Sequence, residues 1–189
     1  MKKIGLLGGT FDPPHMGHLL IAEEVYQELG LDEVWFIPSN DPPHKTATNT
    51  KVNDRLEMTQ LAIDSNPHFK INTIEIERSG TSYTFDTVKT LIDEFEDIQF
   101  YFIMGGDMVE YLPKWNRIDE LVEMITFVGV KRKGHDLTSP YPIQTIDIPV
   151  FEVSSTFIRE RIMQGRSARY LLPQSVESFI KEQGLYGSE

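Results

Sequence analysis

The chain contains no cysteine. That excludes disulfides, thiolate metal sites and cysteine nucleophiles, and it is compatible with a reducing compartment. No apolar run approaches the roughly 20 residues needed to cross a bilayer. Lys2 and Lys3 precede an apolar stretch that glycines and then Asp12 interrupt, so no signal peptide is expected there. Positive charge is scarce: 18 Lys and Arg stand against 29 Asp and Glu, a formal net charge of −11. Such a surface repels phosphate backbones, so nucleic acid is not an expected partner. The expectation is a cytoplasmic protein without a membrane partner. A nucleotide remains an admissible ligand, because a local field or an accompanying Mg²⁺ outweighs total charge.

What is present is ordinary for a globular protein: 189 residues, 40% hydrophobic and 25% charged. One domain over residues 1–189, with a full core, is expected. Strand-like runs at 3–7, 33–37, 69–76, 100–104, 126–130 and 145–150 alternate with helical patterns. The helical patterns follow residue 18 and recur at 54–65, 84–95, 155–163 and 173–183, with an irregular stretch at 107–121. Leu56, Leu61 and Ile63 are core candidates in one helix, and Val88, Leu91, Ile92 and Phe95 in the next. Pro173 at a helix start and Gly184 just past its end fit the usual asymmetry. The alternation implies an α/β doubly wound fold, a mostly parallel sheet with helices on both faces that binds ligand at the carboxyl ends of its strands.

Residues 8–18, Gly-Gly-Thr-Phe-Asp-Pro-Pro-His-Met-Gly-His, are the most informative part of the chain. They join the first strand to a helical pattern carrying Leu19, Ala22, Val25, Tyr26 and Leu29. A glycine turn from strand to helix leaves backbone N–H groups facing one spot, where the helix dipole also favours an anion. Gly8 and Gly9 allow close backbone approach, Thr10 offers a hydroxyl, and Pro13 and Pro14 fix where His15 points. His15 and His18 then read as imidazole donors to phosphate, contributing positive charge together with Arg159. Asp12 reads either as a turn former or as a group near the phosphates. Ser154, Ser155 and Thr156 open a later helix, where hydroxyls and free N–H groups suit an anion and Arg159 reaches back one turn. Taken alone, that segment reads first as a capped helix with a solvated arginine.

The first segment resembles the first signature of the nucleotidyltransferase superfamily with a His-x-Gly-His motif, and Ser154-Ser155-Thr156-Phe157-Ile158-Arg159 resembles its second. The resemblance implies a Rossmann-like fold and an enzyme that joins a nucleoside triphosphate to a phosphorylated acceptor, releasing pyrophosphate. It implies an ATP site built from Gly8, Gly9, Thr10, Phe11, His15, His18, Gly105, Asp107, Ser154, Ser155, Thr156 and Arg159, with Mg²⁺ accompanying ATP. His18 is the first choice as catalytic donor and His15 the second. The segments Pro42-Pro43-His44-Lys45, Ser82-Tyr83-Thr84, Gly105-Gly106-Asp107 and Pro113-Lys114-Trp115 are similar to the bacterial nicotinate-mononucleotide adenylyltransferases. That similarity extends to the carboxyl-terminal Gln183-Gly184-Leu185-Tyr186. It implies a pyridine ring stacked on Trp115, a carboxylate held at Thr84, Tyr83 lining the pocket, Lys45 near the acceptor phosphate and Asp107 on a ribose hydroxyl. The implied reaction transfers AMP from ATP to nicotinate mononucleotide, with no covalent intermediate.

Nicotinamide mononucleotide or phosphopantetheine as acceptor, and a non-catalytic nucleotide sensor, are the alternatives. The sensor reading leaves the second histidine and the Ser-Ser-Thr segment without a purpose. Arg132 is left open between adenine stacking and a solvated basic turn, and oligomeric state between monomer and homodimer.

Overall fold

A computed structural model of the protein describes residues 1–40, 50–78, 83–132, 137–149 and 151–188, with only the backbone of Arg132. Its centre is a six-stranded sheet of β1 (Lys2–Gly9), β2 (Glu33–Pro38), β3 (Phe69–Ile71), β4 (Ile98–Gly105), β5 (Thr126–Arg132) and β6 (Gln144–Ile148). The strand order is β3-β2-β1-β4-β5-β6 and every pairing is parallel. Strand order reverses between β1 and β4, and their carboxyl ends diverge into a crevice as in other doubly wound sheets.

Helices cover both faces. Ala22 and Val25 of α1 (Met16–Leu29), Met58 and Ala62 of α2 (Val52–Ile63) and Val176 and Ile180 of α8 (Gln174–Glu182) pack one face. Ile158 of α7 (Ser155–Met163) belongs to the same cluster. Phe85, Val88 and Leu91 of α4 (Thr84–Glu94), Val109 of α5 (Gly106–Tyr111) and Leu121 of α6 (Ile118–Met124) pack the other. Burial on both sides explains why Ile4, Leu6 and Leu7 of β1 run without polar alternation. Helix α1 stops at Gly30, whose φ of 56° favours glycine; its N–H reaches Gln27 O while Leu31 N–H reaches Tyr26 O. Among the described residues, no helix is long and apolar enough to cross a membrane.

Three local expectations are corrected. The strand expected over 69–76 ends at Ile71, because the Asn72 side chain accepts the Ile74 N–H at 3.0 Å and starts the helical turn α3 (Ile74–Glu77). The buried face of α2 carries Arg55, Met58, Thr59, Ala62 and Ile63, whereas Leu56 is half-buried. Phe95 is 37% exposed: it leaves the helix with extended backbone and packs edge-on against Trp35, centroids 5.1 Å apart. The stretch at 107–121 resolves into α5, a 3₁₀ turn (Leu112–Lys114) and α6.

Phe36 joins the motif loop to this core. It is fully buried and meets Phe11 and Phe69 at ring distances of 5.6 and 5.3 Å. Phe36→Ala should cost about 3–5 kcal/mol in urea unfolding. A loss under about 1 kcal/mol contradicts its place in the core.

Candidate active site

The loop between β1 and α1 is shaped by what happens to its carbonyl oxygens. Arg55 Nη1 donates to Thr10 O at 2.8 Å, Arg159 Nη1 to Asp12 O at 2.8 Å, and Ser155 Oγ to Pro13 O at 2.8 Å. Pro13 and Pro14 have no N–H, so these carbonyls are the polar groups their peptides offer. Buried and unpaired, each would cost about 1–3 kcal/mol. In the Thr10–Phe11 peptide the N–H points opposite to the anchored carbonyl. Arg55 also donates to Ser39 O at 2.9 Å, and Ser39 N–H donates to Gly9 O at 2.9 Å. One fully buried guanidinium therefore fixes the chain just past the ends of both β1 and β2. Phe11 takes a φ of 51° and buries its ring under His18, edge to face at 5.0 Å.

The histidine rings stack with centroids 3.7 Å apart and planes inclined by 20°. The His15 backbone N–H donates to His18 Nδ1 at 3.2 Å. With Nδ1 accepting, a neutral His18 carries its proton on Nε2, which makes that nitrogen the ring's donor. Gly17 between them is dictated by space: a Cβ there would lie 3.0 Å from both His15 Nδ1 and Val153 Cγ1. His15 is 6% exposed, and its Nδ1 has no partner among the described residues. Burial strips the hydration that an imidazolium needs and lowers the His15 pKa to about 4. This corrects the expectation that both imidazoles contribute positive charge, since His15 is neutral near pH 7 without ligand. The helix start is also less open than expected. Met16 N–H donates to Leu171 O at 2.9 Å and His18 N–H to His15 O at 2.9 Å, which leaves more of the anion recognition to side chains.

Around this pair lies a cleft of about 1270 Å³. Gly8, Gly9, Thr10, Phe11, His15, His18, Gly105, Ser154, Ser155, Thr156, Arg159, Tyr83, Thr84 and Trp115 all line it. Asp107 does not; it is exposed on the first turn of α5. Lys45 and Ser82 lie outside the described residues, as does the Arg132 side chain. Ser154 Oγ caps α7 by accepting the Phe157 N–H at 3.1 Å, and Arg159 Nη2 donates to Thr156 Oγ1 at 3.3 Å. The two motif segments are thus joined by direct hydrogen bonds across 142 and 147 residues of chain. Trp115 is held edge-on by Phe102 and Phe127 at 5.5 and 6.1 Å. Its Nε1, like the Thr10 and Ser39 hydroxyls, has no partner among the described residues. Beneath Tyr83 and Thr84, Thr87 Oγ1 donates to Glu75 at 2.9 Å, and burial raises the pKa of that carboxyl, which also lines the cleft. Among the described residues, no group of three His, Cys, Asp or Glu side chains is placed to hold a metal ion.

Ser39, Thr50, Glu75 and Asn116 line the cleft and were missed by sequence reasoning, as was Arg55 buried behind the loop; the role of Asp12 was left undecided. Asp12 is 5% exposed; its Oδ1 accepts from the Tyr186 hydroxyl at 2.5 Å and its Oδ2 lies 4.0 Å from Arg159 Nη1. No local signal in the sequence marks Arg55 as buried; its two carbonyl partners lie 45 and 16 residues away.

The neutral His15 has a measurable consequence. Between about pH 6.5 and pH 4 the unfolded chain takes up a proton that the folded site refuses. Stability attributable to this group is therefore complete above that window and falls by about 3 kcal/mol as pH drops through it. Urea unfolding at about pH 7 and about pH 4.5 should show a smaller acid-induced loss in His15→Gln than in the unaltered protein. Equal losses in the two proteins contradict the buried neutral state.

The sequence profile of the cytidylyltransferase-like family matches residues 6–161. A protein of Oceanobacillus iheyensis named "Probable nicotinate-nucleotide adenylyltransferase" is 58% identical over 187 residues, 99% of this chain and 98% of its own length. A protein of Geobacillus kaustophilus with the same name is 54% identical over 189 residues, 100% of this chain and 88% of its own. Among solved structures, Plasmodium falciparum nicotinic acid mononucleotide adenylyltransferase complexed with NaAD superposes with a TM-score of 0.82 at 20% identity, covering 100% of this chain and 99% of its own. The same enzyme complexed with APC gives the same values, and both establish a shared fold.

Proposed function

The chain belongs to the cytidylyltransferase-like family, among the nicotinate-nucleotide adenylyltransferases; from that premise we propose that it transfers the adenylyl group of ATP to nicotinate mononucleotide, releasing pyrophosphate and giving nicotinate adenine dinucleotide. We infer that residues 1–189 act as one domain and that the reaction takes place in the cytoplasm, where both substrates are available.

The convergence of the two motif segments carries this reading. Arg159 and Ser155 bond the very loop that bears His15 and His18, so one cleft unites the parts needed to grip a triphosphate. The acceptor's phosphate oxygen attacks the α-phosphorus of ATP in line, a new P–O bond forms, and the bond to the bridging oxygen of pyrophosphate breaks. No protein nucleophile is needed, because the acceptor phosphate is already an anion. Catalysis is then alignment plus stabilisation of charge on the transferring group.

The His18 Nε2–H is the donor whose tautomer is fixed, and it is assigned to the phosphoryl oxygens. Neutral His15 stacks behind it and holds its ring plane. Gly8, Gly9, Thr10 and Phe11, with Ser154, Ser155, Thr156 and Arg159 across the cleft, are assigned to the phosphates; Gly105, which lines the cleft, and Asp107, exposed just beyond it, are assigned to the nucleoside. Mg²⁺ enters as part of the ATP substrate, carried by triphosphate oxygens. On the acceptor side, Trp115 offers a ring clamped by two phenylalanines to the pyridine, with Tyr83 beside it and Thr84 at its carboxylate.

Pyrophosphate release on mixing ATP, Mg²⁺ and nicotinate mononucleotide is the deciding measurement, run beside nicotinamide mononucleotide. Faster turnover with the amide refutes the acceptor assignment, and no turnover with either refutes the reaction. His18→Ala should lower kcat by about 100-fold or more while thermal unfolding is preserved, the scale of a lost electrostatic donor. Near-normal kcat removes His18 from the role. Trp115→Ala should raise KM for the mononucleotide about tenfold or more, the scale of a lost aromatic contact, with KM for ATP within about twofold. An equal rise for both substrates contradicts stacking.

A further inference from the structure

Asp12 and Arg159 have been placed at the nucleotide loop, but a third group meets them there from the far end of the chain. Tyr186 stands in a 3₁₀ turn, Leu185–Gly187, with a φ of 58° that residues bearing a Cβ rarely adopt. Its hydroxyl donates to Asp12 Oδ1 at 2.5 Å across 174 residues, and Thr50, just ahead of α2, hydrogen-bonds the same hydroxyl. Burial and the neighbouring Asp12 carboxylate push the phenol pKa far above its ordinary value, so the group stays a donor at any working pH. The ring itself packs with Leu185 against the α1–α2–α8 core and lines the cleft. Packing alone calls for an aromatic ring there; the hydroxyl is the additional feature.

Asp12 sits between two anchored carbonyls, those of Thr10 and Pro13, while its own carbonyl is held by Arg159. A carboxylate swing at Asp12 would therefore disturb the guanidinium that holds the loop, and with it the direction of the histidine rings three and six residues on. The Tyr186 hydroxyl opposes that swing by holding Oδ1, while Oδ2 is the oxygen nearer Arg159.

We propose that Tyr186 is a positioning residue for adenylyl transfer: through its hydroxyl it fixes Asp12, and through Asp12 and Arg159 the loop that presents His15 and His18 to the triphosphate. This assignment rests on the function proposed above. A role in the transition state rather than in substrate binding follows from the geometry. Trp115, Thr84 and the glycine turn are untouched by the loss of a phenol oxygen, whereas a small displacement of a donor at the reacting phosphorus is felt mainly in the rate.

Steady-state kinetics of the full chain test it. Tyr186→Phe keeps the ring and should lower kcat about tenfold, with KM for ATP and for the mononucleotide changed less than about twofold. The melting temperature should fall by no more than a few degrees. Asp12→Asn keeps the shape of the side chain and should lower kcat at least as far. Because the two groups act as one unit, the double variant should match Asp12→Asn alone. Unaltered kcat in Tyr186→Phe, or losses that multiply in the double variant, overturns the positioning role. So does a rise in KM at constant kcat, which would mean a direct substrate contact. If Tyr186→Phe does not fold, full kcat in Asp12→Asn overturns it by itself. An unaltered protein that releases no pyrophosphate overturns both this role and the proposed function; an active one with an equally active Tyr186→Phe overturns this role alone.

Discussion

The arrangement of the cleft depends on the capture of three backbone carbonyls by side chains. Thr10, Asp12 and Pro13 turn their oxygens into the protein, toward Arg55, Arg159 and Ser155. A loop rich in proline and glycine has few backbone bonds of its own, and its shape is set by whoever takes its acceptors. Here the takers come from α2 and α7, elements that both follow the loop and stand far apart from each other in sequence. The charged donors make the stronger bonds, and Arg55 makes two of them while fully buried. A buried guanidinium is tolerated because it satisfies two strand ends at once, and because Asp12 lies near enough to offset part of its charge.

The imidazole pair follows from that rigidity. Stacked rings at 3.7 Å leave little room for two positive charges, and burial keeps His15 neutral. Burial keeps the His15 ring neutral and the His15 backbone N–H fixes the tautomer of a neutral His18, so a directional hydrogen bond matters more than bulk positive potential. That suits phosphoryl transfer, where little covalent chemistry is asked of the protein and alignment supplies much of the rate. The net charge of −11 gives a polyanion no general attraction, so its recognition has to be local.

Some of this was legible beforehand. The continuous apolar runs around Ile4, Phe36, Phe102 and Val128 marked strands buried on both faces, and their alternation with amphipathic segments implied a parallel sheet. Where the reading slipped, a local side chain or a tertiary contact had outweighed periodicity. Asn72 converts a strand pattern into a helical turn, and Phe95 leaves its helix to meet Trp35. Of the α2 core candidates Ile63 is buried while Leu56 and Leu61 are half-buried, and Arg55, which was not among them, is buried against two carbonyls.

Sequence alone determined the α/β order, the position of the nucleotide loop and the residue types able to meet a phosphate, because strand period, glycine turns and imidazoles at fixed spacing are local properties. Only the tertiary structure decided what those residues do to one another. The neutrality of His15, the burial of Arg55 and the bond from Tyr186 to Asp12 depend on desolvation and on partners brought together from distant parts of the chain. Hydration is lost only on packing, and no spacing in the primary structure records which carbonyl a distant guanidinium will find.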